Sequence, residues 1–423
     1  MIQRQNPQLP ALRRLLRRVL AARLDAPRII EKGSEGTLFL ARVDKLLDMG
    51  ATRAAQDLLQ AAGPGDPQRF RRLFDIALLS GDEARACEIM DKTPGIAPSF
   101  AARIFCLALG GDWAAAALVH AGAETLGQLD AETAMLMTHF LDDAYVDSSE
   151  MLPPPTTVTP LTFRLHEAIG QPLPANNLPL AFALSDLDNR GGWKAQLDAA
   201  ERLARAAAIP ASQLRDIYVA QKPAASGGVW DRAAAVQTLI AALGTRDRAA
   251  VAEALPPAYR VMNEAGLGNA LADMVGAGTA MLELPGEAGV IAMCLALAAH
   301  QVQTIEILPE DATTSTAGWC LSPRATRNRR CPPPIPPARR PFLAPAFIGD
   351  ARANLPESAA RMIDENRRGE ALLAAIADVD SGLEGNLVRA AGGLRTLRAL
   401  GQGEIARQAA VELMLAPRVS GLR

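Results

Sequence analysis

Residues 47–118 read LDMGATRAAQDLLQAAGPGDPQRFRRLFDIALLSGDEARACEIMDKTPGIAPSFAARIFCLALGGDWAAAAL, and three turns inside them decide the fold class. Met49-Gly50-Ala51, Ser80-Gly81-Asp82 and Gly110-Gly111-Asp112 each follow an apolar run and precede alanines at helical spacing. Each copy therefore reads as helix, tight turn, helix. A hairpin of this kind cannot bury its apolar face alone, so stacked copies are the way such a sequence builds a core. Gly50 and Gly81 are 31 residues apart and Gly81 and Gly111 are 30 apart, slightly under the ~34 of a tetratricopeptide (TPR) repeat. A glycine, then a small residue four or five positions on, then a large apolar residue is similar to that repeat's second half. We read an all-α chain, an α-solenoid of TPR-like helical hairpins interrupted by Pro-rich linkers, without assigning it a TPR peptide groove.

Composition agrees. Of the 423 residues 49% are apolar but only 4% aromatic, and alanine runs such as Ala114 to Ala117 recur. Alanine and leucine have the highest helix propensities, and small side chains let helices approach closely. Alternating Val, Ile and Thr, the usual strand signal, is nearly absent. A net charge of −2 offers no general attraction for nucleic acid.

Five cysteines (Cys87, Cys106, Cys294, Cys320, Cys331) form an odd set without a CxxC pair, which argues against a disulfide framework or structural zinc. Cys87 and Cys106 are expected as unpaired thiols in the core of a protein from a reducing compartment. No apolar run reaches the length of a membrane span. The start lacks an apolar signal-peptide core, because arginines interrupt Leu12 to Leu24. The expected location is cytoplasmic as the chain is written, and periplasmic if the true start lies upstream.

The opening segment, 1–36, carries a basic amphipathic helix. Leu12, Leu15, Leu16, Val19, Leu20 and Leu24 share one face, and Arg13, Arg14, Arg17, Arg18 and Arg23 lie mostly off it. It reads as the first helix of the array with arginine as solvated cover, or as a weak membrane-surface contact through Leu12 to Leu24. The first repeat block spans 37–150. Asp82 and Asp112 are placed to cap the helices they open. Trp113 reads as filler between neighbouring hairpins, with a ligand platform as the alternative. His139 has no second ligand at helical spacing, which leaves a metal role little support.

Residues 151–180 hold two Pro-rich passages, read as a linker or a strap over the helices and a boundary between blocks. PxxP recognition by an SH3-type partner is the functional alternative. The second block, 181–311, contains an apolar stripe of Leu197, Ala200, Leu203, Ala204 and Ala207, then Ser212 as an expected cap. Lys222-Pro-Ala-Ala-Ser-Gly-Gly-Val-Trp-Asp-Arg232 follows. Its Gly-Gly pair ahead of a helix can offer N–H groups to an anion, with Lys222 and Ser226 in support. The residue order is not that of a P-loop, and a tight helix start with Trp230 packed inward is the competing reading. Leu243-Gly244 reads as another hairpin turn, and a helix pair is expected to turn near His300.

From 312 to 349 there is no acidic residue, while six arginines stand among prolines. Disorder is expected there. The insert is read either as a basic tether for nucleic acid or an anionic surface, or as the product of a reading-frame change, which resequencing would decide. Helical hairpins resume over 350–423, where Leu400-Gly401 repeats the opening turn.

At Arg103 to Trp113, Gly192-Trp-Lys-Ala-Gln-Leu-Asp-Ala-Ala-Glu-Arg-Leu-Ala204 and Pro223 to Arg232, the chain resembles a group of uncharacterised Ala-rich helical-repeat proteins of alphaproteobacteria. Some of these are labelled antifreeze glycopeptide polyprotein. The resemblance covers roughly residues 40 to 310 and the C-terminal hairpin. It implies no catalytic residues, and for some members an export signal and a periplasmic home. Ice binding needs a regular hydroxyl and methyl array, and tandem Thr-Ala-Ala repeats are missing here.

Four scattered histidines, with no HExxH, GxSxG or dinucleotide fingerprint, suggest no catalytic, cofactor or metal residues. The expected function is a non-catalytic helical-repeat scaffold that binds a protein or peptide on its concave face, with no nucleic acid partner. The alternatives are an accessory superhelical domain of a cell-envelope enzyme complex and a membrane-surface-associated protein.

Overall fold

The computed structural model describes residues 2–24, 32–142, 151–188, 191–299 and 343–415. Among them helix is the only regular structure. The chain divides into two compact units, one of Leu20–Ala199 and one of Met1–Val19 with Ala200–Arg423.

In the Leu20–Ala199 unit the helices are α2 (Thr37–Asp48), α3 (Thr52–Ala62), α4 (Pro67–Ser80), α5 (Glu83–Lys92), α6 (Phe100–Leu109), α7 (Trp113–Thr125), α8 (Ala131–Leu141) and α9 (Pro160–Ala168). Each packs on the next. The expected turns sit between them. At Gly50, Gly81 and Gly111 φ is 68°, 75° and 85°, the left-handed region that glycine enters without a Cβ clash. The following N–H then returns to the carbonyl five residues back (Ala51 to Leu46, Asp82 to Ala77, Asp112 to Leu107) at 2.8–3.0 Å. This is the 6→1 bond of a Schellman ending, repeated at each joint. Gly401 in the other unit, at φ 82°, forms the same bond from Gln402 to Leu397.

Caps decide where the helices start. Asp66, Ser99, Asp112 and Asp130 each accept the N–H three residues on. Asp82 does not: it occupies the cap position without a side-chain bond, contrary to expectation. The core gathers Phe70, Phe74, Leu78, Ile104, Phe105, Leu136, Met137 and Leu165. Each such side chain contributes roughly 1.5–3 kcal/mol of burial.

The packing is not only between neighbours in the chain. α9 returns to α4, and the 3-10 segment Leu180–Asp188 lies on α2 and α4. Residues 151–160 form a strap, as one of the two readings has it: Leu152 N–H donates to the Gln171 side chain, and Thr156 donates from its N–H and hydroxyl to Glu132. The boundary expected at 151–180 is therefore not where the chain divides. The division falls within α1 (Pro10–Ala21) and α10 (Gly192–Arg205).

The second unit continues with α11 (Ala211–Val219), α12 (Val229–Thr245), α13 (Arg248–Glu264), α14 (Gly268–Ala280) and α15 (Gly286–Ala298), then α16 (Glu357–Asp364), α17 (Arg368–Asp380), α18 (Leu387–Ala399) and α19 (Gly403–Leu415). Ser212 lies inside the first turn of α11 and Pro210 holds the cap position, so Ser212 is not the cap. Leu243-Gly244 is not a turn: α12 runs through it and ends at Arg246, φ 56°. Close approach has a visible cause in α14, where a Cβ on Gly276 would stand 2.9 Å from the Leu295 carbonyl of α15.

The N-terminal helix belongs to the second unit's C-terminal hairpins. Asp380 accepts the N–H groups of Gln8 and Leu9, and Glu412 accepts that of Ala11. Leu12, Leu15, Leu16 and Leu20 are buried, so the apolar face that a membrane would take is already inside the fold. The turn near His300 and most of the 312–349 insert lie outside the described residues. The end of that insert does not follow the disorder expected of it: Leu343 and Ala346 are buried, and the Arg398 guanidinium covers the Phe347 ring at 5.7 Å.

Candidate interaction surface

Ser99 starts α6, the Gly111 joint reverses the chain, and Asp112 receives the Ala115 N–H at 3.0 Å to start α7. No charged residue follows from Trp113 to Ala123. The inner side of α7 buries Ala116, His120 and Ala123, and the His120 ring nitrogen Nε2 stands 3.3 Å from the Ala134 carbonyl of α8. The outer side is also apolar. Ala114, Ala117, Ala121 and Leu118 all face solvent, Leu118 at 75% exposure, and Leu126 just past the helix end is 71% exposed. A helix that is apolar all round is ordinarily buried on every side; α7 is not.

Trp113 does only part of what was expected of it. Its ring leans on Phe140 at 5.8 Å, and Phe140 stacks on Phe105 at 5.9 Å. Trp113 remains half exposed, and Leu109, at the end of α6, is exposed too. The indole is anchored by the core without being enclosed by it. That combination suits a docking anchor: the ring is held in one place, and its free face has not yet lost its hydration. Exposure, which decides this, could not be read from periodicity, since both sides of α7 carry the same residues.

Cys87 of α5 and Cys106 of α6 form a disulfide, with Sγ atoms 2.00 Å apart and Cα atoms 5.2 Å apart. This corrects the expectation of two unpaired thiols. The bond ties consecutive helices beneath the α7 hairpin, within the core that holds Phe105. An odd cysteine count and a spacing of 19 residues gave no sign of it. Cys294 is free, and burial pushes its thiol up to about 11, which keeps it inert. His139 places Nδ1 3.0 Å from the Met135 carbonyl, and among the described residues no three metal-ligating side chains come together.

In the second unit the two segments singled out by sequence meet each other. Glu201 is 1% exposed. Its carboxylate takes both nitrogens of the Arg232 fork at 2.7 Å, the Arg205 guanidinium at 2.7 Å and the Tyr218 hydroxyl at 2.9 Å. Every acceptor position is spent, so the cluster joins helices and has no lone pair for a substrate. Burial and the Glu201 charge push the Tyr218 phenol well above its ordinary value. The Gly-Gly loop is likewise occupied. Gly227 donates its N–H to Asp231 at 2.9 Å, so the carboxylate of its own helix stands where an anion was envisaged.

No protein family, curated protein or solved structure matches the chain.

Proposed function

We propose that the chain is a non-catalytic scaffold of TPR-like hairpins that binds a protein partner through the solvent side of α6 and α7. The observation that carries this is α7 itself, a helix surface uncharged from Trp113 to Ala123, with Leu118 and Leu126 largely exposed and Trp113 half exposed on an aromatic support. Exposed apolar side chains on an ordered helix mark interaction sites, and indole anchors dominate their energetics. The partner chemistry that fits is an amphipathic helix offering leucine-sized side chains, since the only charge on α7 is Glu124 in its last turn. The similar glycine joints at Gly50, Gly81, Gly111 and Gly401 support the repeat reading.

The Cys87–Cys106 bond supports a home in an oxidising compartment such as the periplasm, because disulfides persist there and are reduced in a cytosol. No described helix is long and apolar enough to cross a membrane. That setting also favours the second reading, an accessory subunit of a cell-envelope enzyme.

A photo-crosslinking residue placed at position 118 in the native host tests the surface. One partner captured there, and lost on Leu118→Glu with an unchanged melting temperature, is expected. A partner retained by Leu118→Glu at full affinity overturns the surface. Glycan-cleaving activity recovered with the partner assigns the accessory role.

A further inference from the structure

We propose that α1 carries a binding site for a phosphate-type oxyanion, made by Arg14 and Arg17 with Arg13 beside them. The starting point is local charge. Four arginines, Arg13, Arg14, Arg17 and Arg18, stand within two turns of one helix. The carboxylates bonded to this end of the chain are Glu412 and Asp380, and both receive backbone N–H groups. Glu412 receives the Ala11 N–H on both oxygens, and Asp380 receives those of Gln8 and Leu9.

The arginines divide into two kinds. Arg13 donates to the carbonyls of Pro7 and Arg205 and to the Gln8 side chain, and Arg18 donates to Gln402. These are held by neutral acceptors. Arg14 reaches Glu412 only through Nη2 at 3.4 Å, and its Nε is buried without an acceptor. Arg17 is half-buried and makes no hydrogen bond or ion pair with a described residue. Burial, then the charges of Arg14 and Arg13, pull the Arg17 guanidinium below its ordinary value.

A partly desolvated group of like charges, with donors unspent, is unfavourable until an anion joins it. Arg14 and Arg17 lie one helical turn apart, so their side chains are neighbours. A carboxylate is filled by one guanidinium fork. Two forks together match a tetrahedral oxyanion with three or four oxygens. The leucine side of α1 is buried, so the helix meets its ligand through arginine alone. The site belongs to the second unit and is independent of the α7 surface.

Thermal melting of the full chain in sodium phosphate and in sodium chloride at matched ionic strength and pH tests it, with Arg17→Gln and Arg14→Gln beside the wild type. A phosphate-specific rise of several degrees in the wild type, lost in Arg17→Gln, is expected. Arg17→Gln should melt no lower than wild type in chloride, because it removes like-charge repulsion, so loss of the fold does not cloud the result. Flotation with phosphatidylglycerol vesicles then assigns the source: binding that Arg17→Gln abolishes means a lipid phosphate, and no binding means a soluble one. Equal melting of the wild type in the two salts, or a phosphate gain retained by Arg17→Gln, overturns the site.

Discussion

The carboxylate of Glu412, in the last helix, accepts the backbone N–H of Ala11, in the first, at 2.9 Å. The residues are 401 positions apart. Pro10 opens α1 and has no N–H of its own, and Asp380 serves Gln8 and Leu9, so the C-terminal hairpins satisfy every amide from Gln8 to Ala11. These are the donors that a helix start leaves unpaired, and a negative charge is favourable there. Because both carboxylates come from the far end of the sequence, the ends of the chain stabilise each other. Glu412→Ala should lose on the order of 2 kcal/mol, since it strands a buried N–H and deepens the arginine excess of α1. Deleting residues 1–24 should render 343–415 sensitive to limited proteolysis. A truncated chain as protease-resistant as the full one would show that α1 is dispensable.

The Glu201 cluster sets a larger effect. Glu201→Gln leaves Arg232 and Arg205 facing a neutral group in a buried site, and removing one partner of a buried pair costs about 3–5 kcal/mol. Arg232→Lys should cost less but still measurably, because an ammonium cannot reproduce the two parallel bonds of the fork. Denaturant melts of the two variants check the order; Glu201→Gln at wild-type stability would mean the network is not formed.

Asp75, on α4, is pushed up to about 6 by burial, against the opposing pull of Arg71 and Arg72. Its folded value lies above the ~3.9 of an unfolded aspartate, so the native state holds the proton more tightly. Ionisation therefore costs stability, a cost that grows as pH rises from about 4 to about 6 and is complete above that, on the order of 2 kcal/mol. Asp75→Asn is expected to stabilise the protein at pH 7.5 and to flatten the pH dependence in that window. Urea melts at pH 4 and pH 7.5 measure both.

Peptide mapping without reductant should recover Cys87 and Cys106 in one crosslinked species. Cys87→Ser with Cys106→Ser should lower stability by about 3 kcal/mol, the value for a loop of this length. A protein from its native host carrying both thiols free would remove the argument for an oxidising compartment.

Ala207 holds the left-handed position of a Schellman joint, at φ 53°, with Ala208 N–H bonded back to Leu203. Glycine fills that place at Gly50, Gly81, Gly111 and Gly401, and Asn366 fills it ahead of Arg367. Ala207→Gly should gain roughly 1 kcal/mol, the steric cost that alanine bears there. A melting temperature unchanged or lowered would contradict this.

The sequence by itself determined the local elements. Glycine after an apolar run set the joints at Gly50, Gly81, Gly111 and Gly401, because a left-handed residue is a local requirement. Asp112 set the start of α7 for the same kind of reason. The all-α expectation holds throughout the described residues, and from α2 to α8 each helix touches the next. Local signals also failed locally: Asp82 and Ser212 have capping chemistry, yet Asp82 makes no side-chain bond and Pro210 holds the place given to Ser212.

Only the tertiary structure decided the rest. Whether α7 is covered depends on what packs outside it, and its composition is the same on both sides. Cys87 finds Cys106 because α5 and α6 cross at that point, which no spacing rule encodes. Glu201 selects Arg232 across 31 residues, and Glu412 selects Ala11 across almost the whole chain. Each of these is a contact between elements whose separate periodicities are silent about one another. Local backbone chemistry fixed the helices and their joints, and the desolvation of a few charged and apolar groups between distant elements fixed which surfaces stayed open.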